Sequence, residues 1–131
     1  MIDFESKKEE IKKFAEEYDL SLVVLFGSQA TGKIHSKSDI DIAVLGIENI
    51  NIFEISAYFD NLFKKGDTEV VNLDMASPTL MYCVTRDGKA LYERDNNTFL
   101  SWKLYAIKIW QETAWLRRLR DKKLIEWARL A

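Results

Sequence analysis

The pattern of apolar and polar positions divides the chain into short blocks. From Phe4 to Tyr18, Ile11, Phe14, Ala15 and Tyr18 recur at helical spacing with charge between them, which predicts an amphipathic helix. Leu20 to Phe26 (LSLVVLF) is a compact apolar, β-branched run that reads as a buried strand, closed by Gly27-Ser28. Gln29 to Ser38 is polar, carries Gly32, and predicts a turn with at most one helical turn. Ile40 to Ile47 (IDIAVLGI) predicts a second strand. Asn51 to Lys65 fits a helix with Phe53, Ile55, Phe59, Leu62 and Phe63 as its apolar side, and Thr68 to Asp74 (TEVVNLD) predicts a third strand. Ser77-Pro78 starts the next helix, Ser as N-cap and Pro in the first turn, with Leu80, Met81 and Val84 facing inward. Asp87-Gly88 is a turn, and Lys89 to Glu93 a short strand or extended edge. Thr98 to Ala131 lacks Pro and Gly and reads as one long helical stretch, either unbroken or broken once near Arg120-Asp121.

This order of elements predicts a single α/β (α+β) domain: a core over residues 1–97 and a helical segment over 98–131 packed on it. Composition adds exclusions. The 131 residues are 47% hydrophobic and 31% charged, too apolar for a disordered chain. No apolar run reaches the ~18 residues of a membrane span. Met1 to Lys13 is charged and lacks the apolar core of a signal peptide. Cys83 stands alone, so no intrachain disulfide forms, and a cytoplasmic protein is expected.

Charge is unevenly placed. Residues 1–97 carry 11 Lys/Arg against 18 Asp/Glu, a balance of −7; residues 98–131 carry 8 against 3, a balance of +5. An acidic body with a basic, Trp-bearing tail suggests a tail that meets something, against the plainer reading of a solvated helix face.

The chemistry concentrates in GSQATGKIHSKSDIDIAVL, Gly27 to Leu45. Residues two apart on a strand share a face, so Asp39 and Asp41 present two carboxylates to one side while Ile40, Ile42 and Val44 face the other. A cation between such carboxylates relieves their repulsion, and Mg²⁺ prefers carboxylate and phosphate oxygen. A bare D-x-D is more often a strand start facing water. Here a Gly-Ser turn precedes it and offers backbone N–H groups and a hydroxyl suited to phosphate oxygens. The chain holds no GxxxxGK[ST] loop. Asp74, at the end of the third predicted strand, is a candidate third carboxylate and base toward an incoming hydroxyl, or else simply a strand-end turn residue.

The pattern Gly27-Ser28, ten residues, Asp39-Ile40-Asp41 and a later acid resembles the nucleotidyltransferase superfamily related to DNA polymerase β. The short length, SDIDIAVL and the ending GKALYERD resemble its minimal nucleotidyltransferases (MNT) over about residues 5 to 97. The resemblance implies a mixed, twisted sheet flanked by helices, with a long C-terminal helical segment. It implies that Gly27 and Ser28, with Ser38, bind phosphates of ATP, and that Asp39, Asp41 and Asp74 are catalytic and hold two Mg²⁺ ions. The implied reaction is in-line attack on the α-phosphorus with release of pyrophosphate. MNT proteins commonly act as antitoxins that transfer AMP to a tyrosine hydroxyl of a HEPN ribonuclease toxin, which makes that toxin the expected partner. Many relatives have Arg after the Gly-Ser pair; this chain has Gln29, with Lys33 and Lys37 nearby.

Two further readings stand beside this one. The first is a non-catalytic antitoxin that neutralises by binding and occlusion, favoured by Gln29 and the hydrophobic tail. The second is transfer to RNA or a small molecule, favoured by Arg117, Arg118, Arg120, Lys122 and Lys123; a nucleic acid is the less expected partner. A body consumed in building the sheet leaves little chain to enclose a small acceptor, so a second protein is expected to complete the site. In the tail, Leu100, Leu104 and Ile107 form one face and Trp102, Tyr105 and Ile109 another, with Trp110, Trp115 and Trp127 as large anchors, or else as core or homodimer contacts. His35 reads as a solvated loop residue, Cys83 as packing and Arg86 as surface.

Overall fold

The computed structural model describes residues 3–27, 30, 40–64 and 68–130. Helix α1 (Phe4–Glu17) starts at Asp3, whose side chain accepts hydrogen bonds from the Glu5 and Ser6 N–H groups. Strands β1 (Leu20–Phe26) and β2 (Ile40–Gly46) follow, then helix α2 (Ile52–Phe63), strand β3 (Thr68–Asn72) and a 3₁₀ turn (Leu73–Met75). Helix α3 (Pro78–Asp87), strand β4 (Lys89–Glu93), and helices α4 (Thr98–Glu112) and α5 (Ala114–Leu130) complete the chain. Among the described residues no helix is long and apolar enough to cross a membrane.

The strands form one mixed sheet in the order β3-β2-β1-β4. β1 pairs antiparallel with both β2 and β4, and β2 pairs parallel with β3. The parallel step requires a crossover, which α2 supplies. β1 is covered on both faces: of its residues only Ser21 is not buried. A register irregularity between Leu20 and Leu22 shifts the alternation by one residue. Leu20, Val23 and Leu25 therefore pack with Ile42 and Val44 under α1 and α2, while Leu22, Val24 and Phe26 pack with Ala43 under α3 and α4.

Beyond small shifts at the ends of elements, two differences from the sequence expectation bear on the site and the tail. β3 ends at Asn72 rather than Asp74, because the Asn72 side chain accepts the Asp74 N–H at 3.1 Å and turns the chain into the 3₁₀ segment. The tail breaks at Thr113, not near Arg120-Asp121. The Thr113 hydroxyl donates to the Ile109 carbonyl at 2.7 Å, as does its N–H at 3.0 Å, so a local side-chain bond competes with helix continuation. The halves of the tail then diverge. α4 buries Phe99, Trp102 and Ala106 in the core, with Leu100, Leu104 and Ile107 left outside, whereas α5 buries no residue.

Phe59 is fully buried and meets the rings of Phe14, Tyr58 and Phe63 beneath the sheet. Phe59→Ala is expected to lower unfolding free energy by about 3–5 kcal/mol, read by chemical denaturation, since it leaves a cavity in a ring cluster that cannot collapse.

Candidate active site

The site begins where β1 ends. Antiparallel register sets Phe26 opposite Asp41, so Gly27 leaves β1 directly beside the start of β2. Gly27 adopts φ +74°, and a Cβ built there would strike the Asp41 carboxylate. Both the left-handed backbone and the close approach require glycine. The Ala30 N–H donates to the Gly27 carbonyl at 3.2 Å, and Ala30 is buried, which anchors the turn.

Asp41 is half-buried and alternates with Ile40 and Ile42, which are buried on the opposite face. On its other edge β2 runs parallel to β3, and the register sets Asp41 opposite Glu69. Paired residues share a face, and neighbouring strands lie ~4.8 Å apart, so the two carboxylates stand side by side. Glu69 is exposed and faces the same side as Val71, which packs under α3 and α4.

Asp74 lies elsewhere. From Glu69 to Asn72 is three strand residues, ~10 Å at ~3.3 Å per residue, and Asp74 follows in the exposed 3₁₀ turn at the far end of β3. The fold brings together Gly27, Asp41 and Glu69, and leaves Asp74 apart. TEVVNLD holds two acids, and the one opposite Asp41 is the first, Glu69, not the expected Asp74. A signal was present: the acid is the second residue of both parallel strands, Ile40-Asp41 and Thr68-Glu69. The other expected site residues, Asp39, Ser28 and Ser38, lie outside the described residues, as do Gln29, Lys33, His35 and Lys37. No cluster of three or more His, Cys, Asp or Glu forms among the described residues. Arg86 is exposed and donates to the Asp87 carboxylate at 3.0 and 2.8 Å, away from phosphate chemistry. Cys83 is half-buried on α3.

Two hard carboxylates on adjacent strands, beside a glycine turn shaped around one of them, form a centre suited to a divalent cation and phosphate oxygens. A mixed sheet carrying such a centre at the start of an interior strand is a scaffold on which nucleotidyl transfer can be built. The chain belongs to the polymerase beta nucleotidyltransferase family, whose model matches residues 9–97.

Among curated proteins it is similar to the protein adenylyltransferase MntA of Aphanizomenon flos-aquae, 38% identical over 92 residues, 61% of each chain. It is also similar to the MntA of Shewanella oneidensis, 36% identical over 85 residues, 61% of this chain and 60% of the relative. The match thus spans about three fifths of the curated relatives' length. Among solved structures, a chain of a toxin–antitoxin complex with AMP-PNP superposes with a TM-score of 0.76 at 27% identity, over 89% of this chain and 98% of that one. A chain from the tri-AMPylated Shewanella oneidensis HEPN toxin in complex with its MNT antitoxin shares the fold, with a TM-score of 0.72 at 24% identity, over 93% of this chain and 99% of that one.

Gly27→Ala is expected to leave the chain folded, at a cost of about 1–2 kcal/mol for the left-handed alanine. It should abolish Mg²⁺-dependent binding of a non-hydrolysable ATP analogue in calorimetry, because the new methyl displaces the Asp41 carboxylate.

Proposed function

We propose that this chain is a Mg²⁺-dependent protein adenylyltransferase that transfers AMP from ATP to a tyrosine hydroxyl of a HEPN ribonuclease toxin, and so acts as its antitoxin in the cytoplasm. The observation that carries the reading is the pairing of Asp41 with Glu69 beside Gly27, in a chain similar to two protein adenylyltransferases. Similarity to a chain of a toxin–antitoxin complex with an ATP analogue supports the donor and the setting.

In this reading Asp39, Asp41 and Glu69 hold two Mg²⁺ ions, in place of the set with Asp74 that the family resemblance implied. The ions, when bound, supply positive charge to the phosphate oxygens where negative charge builds up. The chain's own groups do the rest. Gly27, Ser28 and Ser38 orient the β- and γ-phosphates so that the α-phosphorus faces the acceptor. Glu69 accepts the proton of the tyrosine hydroxyl. The tyrosine oxygen then forms a bond to the α-phosphorus as the bond to the β-phosphate oxygen breaks, and pyrophosphate leaves. The toxin brings its own tyrosine, so the site has no need of a second domain to enclose the acceptor.

The test is incubation with ATP, Mg²⁺ and a HEPN-domain toxin chain, followed by intact-mass analysis. The HEPN chain should gain one or more AMP units. Asp41→Asn and Glu69→Gln should each slow the gain about 100-fold or more, the scale for removing one group that stabilises transition-state charge. Asp74→Asn should transfer at the native rate. Neutralisation of the toxin by the Asp41→Asn chain without any mass gain would replace transfer with occlusion, and loss of activity in Asp74→Asn alone would restore Asp74 as the third carboxylate.

A further inference from the structure

Helix α5 is held at its root. The Arg117 guanidinium lies over the Trp110 ring, 3.3 Å from its centroid, and donates to the Trp110 carbonyl at 2.5 Å and to the Thr113 hydroxyl at 2.8 Å. Trp110 in turn stacks on Tyr82 of α3, with ring centroids 4.4 Å apart. This ladder fixes the angle at which α5 leaves α4. Leu116, Arg117 and Arg120 line a cleft with Ser77, Pro78 and Thr79 at the start of α3, and no residue of the helix is buried.

An isolated helix of this length is marginal in water and needs an apolar face covered. Trp115, Leu116, Leu119, Trp127 and Leu130 fall on one side of α5 and are 45–87% exposed. The helix carries six basic residues against two acidic, a charge of +4. Two such helices laid against each other would repel. The arm therefore calls for a surface that is both acidic and apolar.

The chain itself carries one. Between α1 and α2 runs an open groove of about 790 Å³, lined by Glu10, Glu17 and Glu54 with Lys13. Its floor is the stacked pair Phe14–Tyr58, centroids 3.7 Å apart. The groove lies on the face of the sheet under α1 and α2, opposite the face under α3 and α4 from which the arm departs, and no residue of α5 lines it. The arm of one chain thus does not fill its own groove.

We propose that α5 docks in the α1–α2 groove of a second copy of this chain, with the Trp-bearing stripe on the aromatic floor and the basic residues against the glutamates. Exchange of both arms closes a two-fold dimer and leaves no arm unpaired. The dimer does not depend on the transfer reaction.

Sedimentation velocity on the full chain alone tests it. A dimer is expected at low ionic strength, with dissociation rising with salt. An arm-reversed chain (Lys122→Glu with Lys123→Glu) and a groove-reversed chain (Glu17→Lys with Glu54→Lys) should each dimerise about tenfold or more weakly. All four positions are exposed, so both variants fold, which circular dichroism checks. Mixed together, the two variants should regain a dimer, because each now offers the other opposite charge at both contacts. A monomer under all conditions overturns the proposal and leaves the arm to a different partner. A dimer indifferent to both reversals, or no recovery on mixing, overturns the arm-in-groove contact.

Discussion

Strand β2 pairs on both edges, and the two pairings differ in direction. Its antiparallel edge brings the end of β1 beside Asp41, and its parallel edge brings the start of β3 beside the same residue. Because side chains alternate along a strand, a slip of one residue on either edge would turn a carboxylate into the core and an isoleucine into the site. Ile40, Ile42 and Val44, all fully buried, prevent that slip. The packing beneath the sheet thus fixes the chemistry above it.

The crossover helix serves the same end. α2 carries the chain from β2 to the parallel β3 and buries Ile55, Phe59 and Phe63 against the sheet. Lys64 closes it in a left-handed conformation, and the Thr68 N–H that opens β3 donates to the Asp60 carboxylate of α2 at 2.9 Å. The helix end is thereby tied to the strand start, and Glu69 is the next residue. The carboxylate is placed by a rigid element, which is what a site needs if its charges are to act without rearranging.

The tail divides by the same physics. α4 has one face of large apolar residues matched to the sheet and joins the core there. α5 has apolar residues as large, yet the sheet face is covered by α3 and α4. The Thr113 break and the Arg117 clamp turn the helix outward with its apolar stripe uncovered. Hydrophobicity alone does not decide burial; whether a sheet face is left to cover does.

Much of this was legible in the chain. The apolar runs of β1 and β2, the helical spacing of α1 and α2, and the Ser77-Pro78 start of α3 each rest on local periodicity or capping, and the elements lie where those patterns put them. Gly27 and Asp41 were legible because turn and strand adjoin across one hairpin-like pair. That Glu69 and not Asp74 stands opposite Asp41 was not, since register between segments joined by a helix is set by packing rather than spacing. The break in the tail belongs with it: Thr113 is an ordinary helix residue by propensity, and only its bond to Ile109 and the grip of Arg117 on Trp110 end one helix and aim the next. The sequence by itself determined which residues form elements and which carry charge, because those properties are local. Tertiary structure decided which carboxylates meet and which helix buries nothing, because those depend on how distant segments pack together.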